Sequence, residues 1–371
     1  MSFNNLGLNS HLIDVLKSQR ITEPTPIQSS SISQILNGCD VIAEAPTGSG
    51  KTLAFLLPIF QNIDSKNNHI QALIISPTRE LALQIASEAD KLNSDSKLNI
   101  LCLFGGQNLG SQLKKLNRSI HLVIATPGRL LDHIYRENID LSNVNTFVLD
   151  EADQMLYIGF KNEIEKLISI LPKKKQFLCF SATLDSKVKK LAYRYMNSPV
   201  EISAKLDKNP IDLIEQQIIL TSDRWKQEAL FKVLDEENPF LAIIFCRTKR
   251  RVDDLDRAMA ALKYNCLKLH GDMPQNARQR VMKAFRDVKI QYLIATDVAA
   301  RGLDITGVTH IFNYDFPESS ENYIHRIGRT GRMGKDGVAI SFVVPRNEAL
   351  LKEVEMAINK TLSKKTHDHN A

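Results

Sequence analysis

The sequence predicts an α/β protein of two domains, each with a parallel β-sheet covered by helices on both faces. The chain has 371 residues, whereas a single hydrophobic core stops growing efficiently at about 250–300 residues. Short apolar runs rich in Ile, Val, Leu and Phe alternate with helical stretches, which is typical of buried parallel strands. Most runs end in glycine, hydroxyl or charged residues, and open α/β sheets bind ligands at the carboxyl ends of their strands.

The strand pattern divides into two similar halves. The first half contains the runs "DVIAEA", "ALIISPT", "NILCLFGG", "HLVIATP", "TFVLDEA" and "QFLCFSAT". The second half contains "LAIIFCRT", "CLKLHGD", "YLIATDVAA", "HIFNYDFP" and "VAISFVVP". Between them, "MNSPVEISAKLDKNPIDLIEQ" has two prolines and weak helical periodicity. We therefore predict a first domain over 1–203, a hinge linker over 204–212 and a second domain over 213–371.

Composition excludes several classes of protein. No apolar run approaches ~18 residues, the length of a membrane-spanning helix. The five cysteines are scattered without C-x-x-C spacing, and the nine histidines show no ligand spacing with them. This pattern favours reduced cysteines in a cytoplasmic protein over a zinc or disulfide framework. The formal net charge of +6 permits an anionic partner without requiring one.

The stretch "APTGSGKT" fits a phosphate-binding loop between a strand and a helix, with Ala45 where such loops usually have their first glycine. Glycines here let backbone N–H groups point into one concavity at a helix N-terminus. Lys51 is expected to reach the β- and γ-phosphates and Thr52 to coordinate Mg²⁺. The alternative is a structural glycine-rich turn. The predicted nucleotide-binding residues of this loop are Thr47, Gly48, Ser49, Gly50, Lys51 and Thr52.

A second, acidic element completes the predicted site. The apolar run "TFVLDEADQML" ends in Asp150, and a strand-end carboxylate of this kind holds Mg²⁺ in phosphate-loop enzymes, partly through water. Glu151 follows directly and is placed to orient or deprotonate an attacking water, which favours hydrolysis over transfer. An acidic first turn of a helix is the structural alternative.

At "DEAD", Asp150 to Asp153, the sequence resembles the DEAD-box family of ATP-dependent RNA helicases. The resemblance extends from Phe3 to about Pro345, with the motifs in the family's order. It implies two RecA-like domains, ATP and Mg²⁺ as cofactors, RNA as partner, and RNA-stimulated ATP hydrolysis. The length predicts a minimal, bacterial member of the family.

The resemblance assigns further nucleotide contacts. "PTPIQ", which ends at Gln28, resembles the adenine-reading element, with Phe3 as its upstream aromatic residue, and Asp304 resembles the ribose contact. This element often has glycine and an aromatic residue where Arg20 and Ile21 stand here. Ile21 is expected to pack on the purine without aromatic stacking.

The resemblance also implies RNA contacts, arginine fingers and coupling residues. "HRIGRTGR" is expected to supply Arg329 and Arg332 as fingers, and its arginines at every third position predict one helical face; a solvated basic face is the alternative. "QNAR", 275–278, fits a further motif or a polar helix start. The implied coupling residues are Asp153, Ser181, Thr183, His325 and Arg326. The implied RNA contacts are Pro77, Thr78, Arg79, Gly105, Gly106, Thr126, Pro127, Gly128, Arg129, Arg247, Thr248, Gly271, Thr296 and Asp297.

Three functions stay open at this stage. The first is a helicase in which closure of the cleft between the domains melts a few RNA base pairs. The second is an ATP-gated RNA clamp in which hydrolysis only times release. The third is a phosphate-loop kinase or small-molecule ATPase, against which the second set of strand-end motifs argues. We expect a targeting protein or a ribosomal or other RNP particle to select the RNA.

Overall fold

The computed structural model describes residues 2–46, 48–93, 97–106, 119–204, 214–300, 307–331 and 337–366. The chain divides into two compact units, Met1–Lys205 and Leu206–Ala371. Only Ala204 of the predicted linker, 204–212, lies within the described residues.

Unit 1 contains a seven-stranded parallel sheet. It opens with a 3₁₀ helix, Phe3–Leu6. Its strands are β1 Val41–Glu44, β2 Ala72–Ile75, β3 Ile100–Leu103, β4 Leu122–Ala125, β5 Thr146–Asp150, β6 Gln176–Ser181 and β7 Val200–Ser203. Its described helices are α1 Ser10–Ser18, α2 Pro26–Leu36, α3 Lys51–Asn62, α4 Arg79–Leu92, α5 Pro127–Tyr135, α6 Ala152–Ile158, α7 Lys161–Ile170 and α8 Ser186–Tyr195.

Unit 2 contains a second parallel sheet of seven strands. They are β8 Ile214–Leu220, β9 Ala242–Cys246, β10 Cys266–Leu269, β11 Tyr292–Thr296, β12 His310–Asn313, β13 Gly337–Val343 and β14 Ser363–Thr366. The described helices are α9 Lys226–Glu237, α10 Lys249–Ala261, α11 Gln275–Arg286, α12 Asp297–Ala300, α13 Ser320–Ile327 and α14 Glu348–Ala357, with a 3₁₀ helix at Pro345–Asn347.

The two sheets share one topology. The strand order is β3-β4-β2-β5-β6-β1-β7 in unit 1 and β10-β11-β9-β12-β13-β8-β14 in unit 2. Taken in chain order within each unit, these are the same order, so the architecture is duplicated as the sequence predicts. Because every pairing is parallel, the carboxyl ends of all strands of a sheet meet at one edge. The polar residues that follow the strands are therefore collected there.

Three strands were not predicted from the sequence. β7 and β8 lie on either side of the predicted linker, and β7 and the start of β8 fall in the passage that has two prolines and weak helical periodicity. β14 is fully exposed and polar, "SKKT", and pairs with β8 at the edge of the sheet. A short polar edge strand has little apolar pattern to mark it, because its register is fixed by pairing with its neighbour.

Alternating strand residues pack against helices on opposite faces of each sheet. In β6, Leu178 belongs to one buried cluster and Phe177 and Cys179 to the other. In β9, Ile243 and Ile244 divide in the same way. Burial of each such side chain contributes about 1.5–3 kcal/mol, so both layers hold the strand ends in register. All five cysteines are free.

Candidate functional site

The phosphate loop connects β1 to α3. Gly48 and Gly50 have φ of 81° and 93°, the left-handed region that glycine enters without a Cβ penalty. Lys51 is the first residue of α3 and is 7% exposed. Its ammonium donates a hydrogen bond to the Ala45 carbonyl at 2.6 Å, so the side chain curls over the loop. Ser49 Oγ donates to the Pro46 carbonyl at 2.7 Å; Thr47 lies outside the described residues.

Gln28, from the predicted adenine-reading element, lies directly against this loop. Its Oε1 accepts the Thr25 N–H at 2.9 Å, and its Nε2 donates to the Gly50 carbonyl at 3.0 Å. A Cβ on Gly50 would lie 2.5 Å from Gln28 Nε2, so a side chain there would displace the Gln28 amide and would also be strained by the left-handed φ. Phe3 is 2% exposed and packs in the core of unit 1, where Ile21 also packs.

Two adjacent carboxylates end β5. Asp150 is 3% exposed, and its Oδ1 accepts the Glu151 N–H at 3.0 Å. Burial raises the pKa of the Asp150 carboxyl to about 7; the Lys51 ammonium opposes the rise and the Glu151 carboxylate adds to it. Glu151 has a left-handed φ of 56°, and within the described structure its buried Oε2 has no hydrogen-bond partner. A backbone held in this region costs about 1–3 kcal/mol and is found most often at functional sites.

These residues fit a divalent cation. Carboxylate and hydroxyl oxygens are the ligands that Mg²⁺ prefers, and Asp150 and Thr52 supply them at the end of β5 and the start of α3. A nearby cation would favour the charged form of a carboxylate whose burial disfavours it. Among the described residues, no group of three His, Cys, Asp or Glu side chains forms a separate metal site.

Asp153 connects the end of β5 to the end of β6. Its Oδ2 accepts hydrogen bonds from both N–H and Oγ1 of Thr183, each at 3.1 Å. The Asp153 N–H donates to Ser181 Oγ at 3.2 Å. These hydrogen bonds join "DEAD" to "SAT", while the coupling role of the three residues stays a prediction.

The predicted RNA contacts of unit 1 follow three neighbouring strands, β3, β4 and β2. The Arg79 guanidinium lies on Gly105 and Gly106: a Cβ on Gly106 would be 2.3 Å from Nη1, and one on Gly105 would be 3.3 Å from Nη2. Gly106 also has a φ of 86°. The two glycines therefore make room for the arginine that begins α4.

The other predicted contacts of unit 1 lie at the starts of α4 and α5. Thr78 caps α4, its Oγ1 accepting the Leu81 N–H at 3.2 Å, and follows Pro77. Thr126 precedes α5, and Pro127 is its first residue. Gly128 is exposed. Arg129 Nε lies 3.8 Å from Asp132 Oδ2. Helix N-termini present N–H groups that suit phosphate oxygens.

The predicted RNA contacts of unit 2 follow the equivalent strands, β9, β10 and β11. The Arg247 N–H donates to Asp315 Oδ2 at 2.9 Å. Thr248 caps α10, its Oγ1 accepting the Arg251 N–H at 3.2 Å. Gly271 follows β10, and a Cβ there would lie 3.8 Å from Lys249 Cε. Thr296 ends β11, and Asp297 begins α12.

Arg326 lies inside unit 2, at 2% exposure. Its guanidinium donates to Asp297 Oδ1 at 2.6 Å and Oδ2 at 2.7 Å, to Asn313 Oδ1 at 3.1 Å and to the Asp315 carbonyl at 2.6 Å. Two predicted functional residues, Arg326 and Asp297, are thus directly paired. The arrangement fixes Arg326 as a residue that positions the strand ends of its own unit.

The predicted helical face of three arginines is wrong. α13 ends at Ile327 with Gly328 as its C-terminal cap, so Arg329 lies beyond the helix. Arg329 is 4% exposed, and its Nε donates to the His325 carbonyl at 3.2 Å. Arg332 and Asp304 fall outside the described residues.

Sequence reasoning missed the acidic residue at the centre of this network. Asp315 is 4% exposed and follows β12 by two positions. Its carboxylate accepts from Lys226 Nζ at 3.1 Å and pairs with Arg251 Nε at 2.9 Å. Burial lowers the pKa of Lys226 and Asp315 opposes that shift. The available signal was a strand-end aspartate, "HIFNYDFP", of the same kind as Asp150 in "TFVLDEA".

Two family models match the chain. The DEAD/DEAH box helicase model matches residues 25–191, and the helicase conserved C-terminal domain model matches residues 225–334. The ATP-dependent RNA helicase CshA of Listeria monocytogenes is 45% identical over 360 residues, covering 97% of this chain and 69% of the relative. The DEAD-box ATP-dependent RNA helicase CshA of Bacillus subtilis is 42% identical over 364 residues, covering 98% and 74%.

The chain belongs to the DEAD-box family of ATP-dependent RNA helicases. The family predicted from the motifs and the enzyme class, RNA-dependent ATP hydrolysis, are both confirmed.

Solved structures agree with this assignment. Saccharomyces cerevisiae Dbp5 bound to RNA and ADP BeF₃ is 29% identical with a TM-score of 0.90, covering 98% of this DEAD-box helicase and 95% of that chain. Mss116p bound to ssRNA and AMP-PNP is 32% identical with a TM-score of 0.90, covering 99% and 80%. Both units of the DEAD-box helicase are thus RecA-like domains, as predicted.

Sheet order separates two groups of side chains along one edge of unit 1 of this DEAD-box helicase. The residues of the phosphate loop follow β1, Asp150 and Glu151 lie at the end of β5, and Ser181 ends β6. The predicted RNA residues follow β3, β4 and β2. Because β2 pairs with β5, the two groups are neighbours. In the part of the chain that the structure describes, no helix is long and apolar enough to cross a membrane.

Proposed function

We propose that this DEAD-box helicase uses RNA-stimulated ATP hydrolysis to close a cleft between its units and melt RNA base pairs locally. The observation that carries the proposal is that both groups of side chains lie at the carboxyl edge of the sheet in unit 1. The side chains predicted to bind phosphate and those predicted to contact the RNA backbone lie at the ends of adjacent strands there. A change in the position of one group of side chains is transmitted to the other group through β2, β5 and β6.

The proposed nucleotide site is built mainly by unit 1. Lys51 exchanges the Ala45 carbonyl for a phosphate oxygen, and Gln28 together with Phe3 and Ile21 is assigned to adenine. Thr52 and Asp150 hold Mg²⁺, which when bound supplies positive charge to the phosphate oxygens. We assign Asp304 to the ribose and Arg329 and Arg332 to the transferring phosphoryl group. An arginine in that role contributes about 10³–10⁵-fold in rate.

Glu151 is the proposed general base. Its position next to Asp150 and its buried Oε2, unpartnered within the described structure, suit a group that holds and deprotonates the attacking water. General-base catalysis contributes typically about 10²–10⁴-fold. Glu151 is the N-terminal cap residue of α6 with a left-handed φ of 56°, and its side chain makes no capping hydrogen bond.

RNA binding is proposed to use the backbone of the strand and not its base sequence. The contacts are N–H groups, hydroxyls and arginines at helix starts, which position a strand without reading it. Dbp5 and Mss116p, which resemble this chain in fold, are bound to RNA in their structures. ATP and RNA are each expected to raise the affinity for the other, because such coupling is reciprocal. The link runs through Asp153, Ser181 and Thr183 in unit 1 and through His325 and Arg326 in unit 2.

The proposal also covers the cellular location of the protein and the kind of RNA that it remodels. We assign the protein to the cytoplasm and to remodelling of RNA or of a ribosomal or other RNP particle selected by a targeting protein. Backbone contacts alone give little discrimination between RNAs. If the isolated protein chose one RNA over all others in competition binding, the targeting proposal would be wrong.

The first experiment measures ATP hydrolysis with and without a generic structured RNA, in the parent protein and in Glu151→Gln. We expect strong stimulation by RNA and a loss of at least about 10²-fold in the variant. Glu137→Gln is the matched control, because Glu137 has the same φ of 56° but is exposed after α5. Hydrolysis indifferent to RNA, or equal loss in both variants, would contradict the proposal.

A second measurement separates unwinding from clamping. Strand separation of a short labelled duplex is followed in the same reactions as ATP hydrolysis. Separation that rises with hydrolysis supports the helicase mechanism. RNA retention that depends on ATP, without strand separation, would support the alternative of an ATP-gated clamp.

A further inference from the structure

One face of α11 in unit 2 carries three exposed cations. Arg280, Lys283 and Arg286 are spaced by three residues and are exposed, which places them within about 120° of arc at 100° per residue. We call these three residues the basic stripe. The opposite face of the helix is buried through Arg278, Val281, Met282 and Phe285. The stripe is therefore the solvent face of a helix whose orientation is fixed by packing.

The cations of the basic stripe have no acidic partner among the described residues, whereas those of the preceding helix do. On α10, Arg250 and Arg257 both pair with Asp254, Arg251 pairs with Asp315, and Lys249 pairs with Asp272. α11 contains no acidic residue, "QNARQRVMKAFR". An ordinary solvated helix gains from acidic and basic residues spaced by four, and α11 forgoes that gain. A concentration of unpaired positive charge on one fixed face is the electrostatic footprint of a polyanion site.

α11 begins at the edge of the sheet that carries the proposed RNA contacts, and the basic stripe extends from the middle of this helix to its end. β10 ends at Leu269, Gly271 follows, and α11 starts at Gln275. As the crossover between parallel strands β10 and β11, α11 runs from the carboxyl edge back towards the amino edge. β10 is the outermost strand on this side of the sheet, so the stripe lies at the flank of the unit. Arg280 lies five residues, about 7.5 Å, into α11, and the stripe extends from there over roughly 9 Å of helix axis towards the amino edge.

We infer that the basic stripe binds the phosphate backbone of an RNA segment flanking the strand held at the strand ends. The inference rests on the proposed function, because it extends the RNA path proposed there. Charge and position favour RNA as the occupant: the stripe offers three cations at regular spacing, and it lies on the helix that follows the proposed contact at Gly271. Flanking RNA then adds affinity that depends on length and salt but not on sequence.

The test compares RNA length dependence in the parent protein and in the triple variant Arg280→Gln/Lys283→Gln/Arg286→Gln. An oligouridylate series first defines the shortest RNA that fully stimulates ATP hydrolysis. In the parent, the half-saturating RNA concentration is expected to keep falling for longer RNAs. In the variant, the shortest RNA stimulates as before, and the gain from added length falls about tenfold. The slope of log affinity against log salt for long RNA drops by about 2, at about 0.7 per lost contact with a single strand.

The matched control removes the same charge elsewhere. Lys66, Lys173 and Lys174 are exposed in loops before β2 and β6, at the amino edge of sheet 1. Lys66→Gln/Lys173→Gln/Lys174→Gln is expected to keep the length gain and the salt slope of the parent. Equal loss in both triple variants would show a general charge effect and overturn the inference.

Three further outcomes would also overturn it, and they remain distinguishable. An unchanged length gain in the α11 variant removes the flanking site but leaves the proposed function intact. Polyglutamate that binds the parent as tightly as RNA of equal charge, and loses that binding in the α11 variant, assigns the stripe to an acidic protein. Absence of stimulation by RNA of any length, in parent and variants, removes the proposed function as well.

Discussion

Asp297 holds the guanidinium of Arg326 through both of its carboxylate oxygens, at 2.6 and 2.7 Å. One residue begins α12 after β11, and the other lies on α13. Arg326 also donates to Asn313 and to the Asp315 carbonyl after β12. A single side chain thus ties together the ends of two strands that are separated by β9 in the sheet.

The first prediction concerns this pair. Asp297→Asn leaves the Arg326 charge buried without its carboxylate and is expected to lower the free energy of unfolding by about 3 kcal/mol. Denaturant titration measures the loss. Asp287→Asn is the control, because Asp287 is exposed and lies 4.0 Å from the exposed Lys289; its change should stay within about 0.5 kcal/mol. A loss below about 1 kcal/mol for Asp297→Asn would show that Asn313 and the carbonyl suffice.

The second prediction concerns the space under Arg79. Gly106→Ala places a Cβ against the guanidinium and is expected to raise the half-saturating RNA concentration for ATP hydrolysis roughly tenfold, the effect of one lost charge-assisted contact. Gly38→Ala is the control, because Gly38 has a φ of 80° with no atom within 4 Å of the added Cβ. Both substitutions carry the same backbone cost of about 1 kcal/mol. Similar half-saturating RNA concentrations in the two variants would mean that the position of Arg79 does not affect RNA binding.

The third prediction concerns the residue after α1. Arg20 has a φ of 62° at the position after the C-terminal cap, where glycine is usual. Arg20→Gly is expected to raise the free energy of unfolding by about 0.5–1 kcal/mol, because relief of left-handed strain exceeds the entropy cost of glycine. Arg20→Ala, which removes the side chain but keeps the Cβ, should give no gain. Equal effects of the two substitutions, measured by thermal unfolding, would exclude backbone strain as the cause.

The fourth prediction concerns pH. His121 is 2% exposed, and its Nδ1 accepts the Asn99 N–H at 2.8 Å. Burial lowers the pKa of His121, against the opposing charge of Asp64. The unfolded chain therefore binds the proton more readily, so stability is complete above the unfolded pKa of about 6.5 and is lost as pH falls through the lowered value. His121→Asn keeps an acceptor that does not titrate and should flatten the slope of unfolding free energy between pH 7 and 5.

The control for this prediction is His69→Asn. His69 is an exposed histidine of the same unit, and its replacement should leave the slope as in the parent. An unchanged slope in His121→Asn would mean that other buried histidines account for the acid sensitivity. His133 and His310, whose pKa values burial also lowers, would be tested next.

The sequence predicted the parts of the site that local pattern determines. Three of its signals are local: glycines before a helix, a carboxylate at the end of an apolar run, and polar residues after most apolar runs. Lys51, Asp150 and the loops with implied RNA contacts do therefore lie at strand ends, as the sequence predicts. The edge strand β14 escaped because its residues "SKKT" have no apolar alternation. Its pairing with β8 joins two segments that are distant in the sequence, so no local pattern predicts it.

Contacts between distant segments could not be predicted. Arg326 and Asp297 are 29 positions apart, and Lys226 and Asp315 are 89 apart; each pair meets only because the sheet order brings their loops together. The spacing of Arg326 and Arg329 suggested one helical face, but Gly328 ends α13 between them. Periodicity describes a helix correctly only up to the residue where it stops.

The common strand order of the two units has a consequence for the history of the chain. In each unit, the helix after the first strand begins with a lysine, Lys51 or Lys226. An aspartate lies at the end of the fifth strand: Asp150 is its last residue in unit 1, and Asp315 follows it by two positions in unit 2. A duplicated ancestor would have had the same pair twice. In one copy the glycine-rich loop keeps the pair open to a substrate; in the other, "TSDRW" replaces that loop and the lysine closes directly on the aspartate at 3.1 Å. In unit 2 this charge pair is buried inside the unit. Because the proposed function assigns the nucleotide to the open pair of unit 1, one nucleotide is expected for each chain.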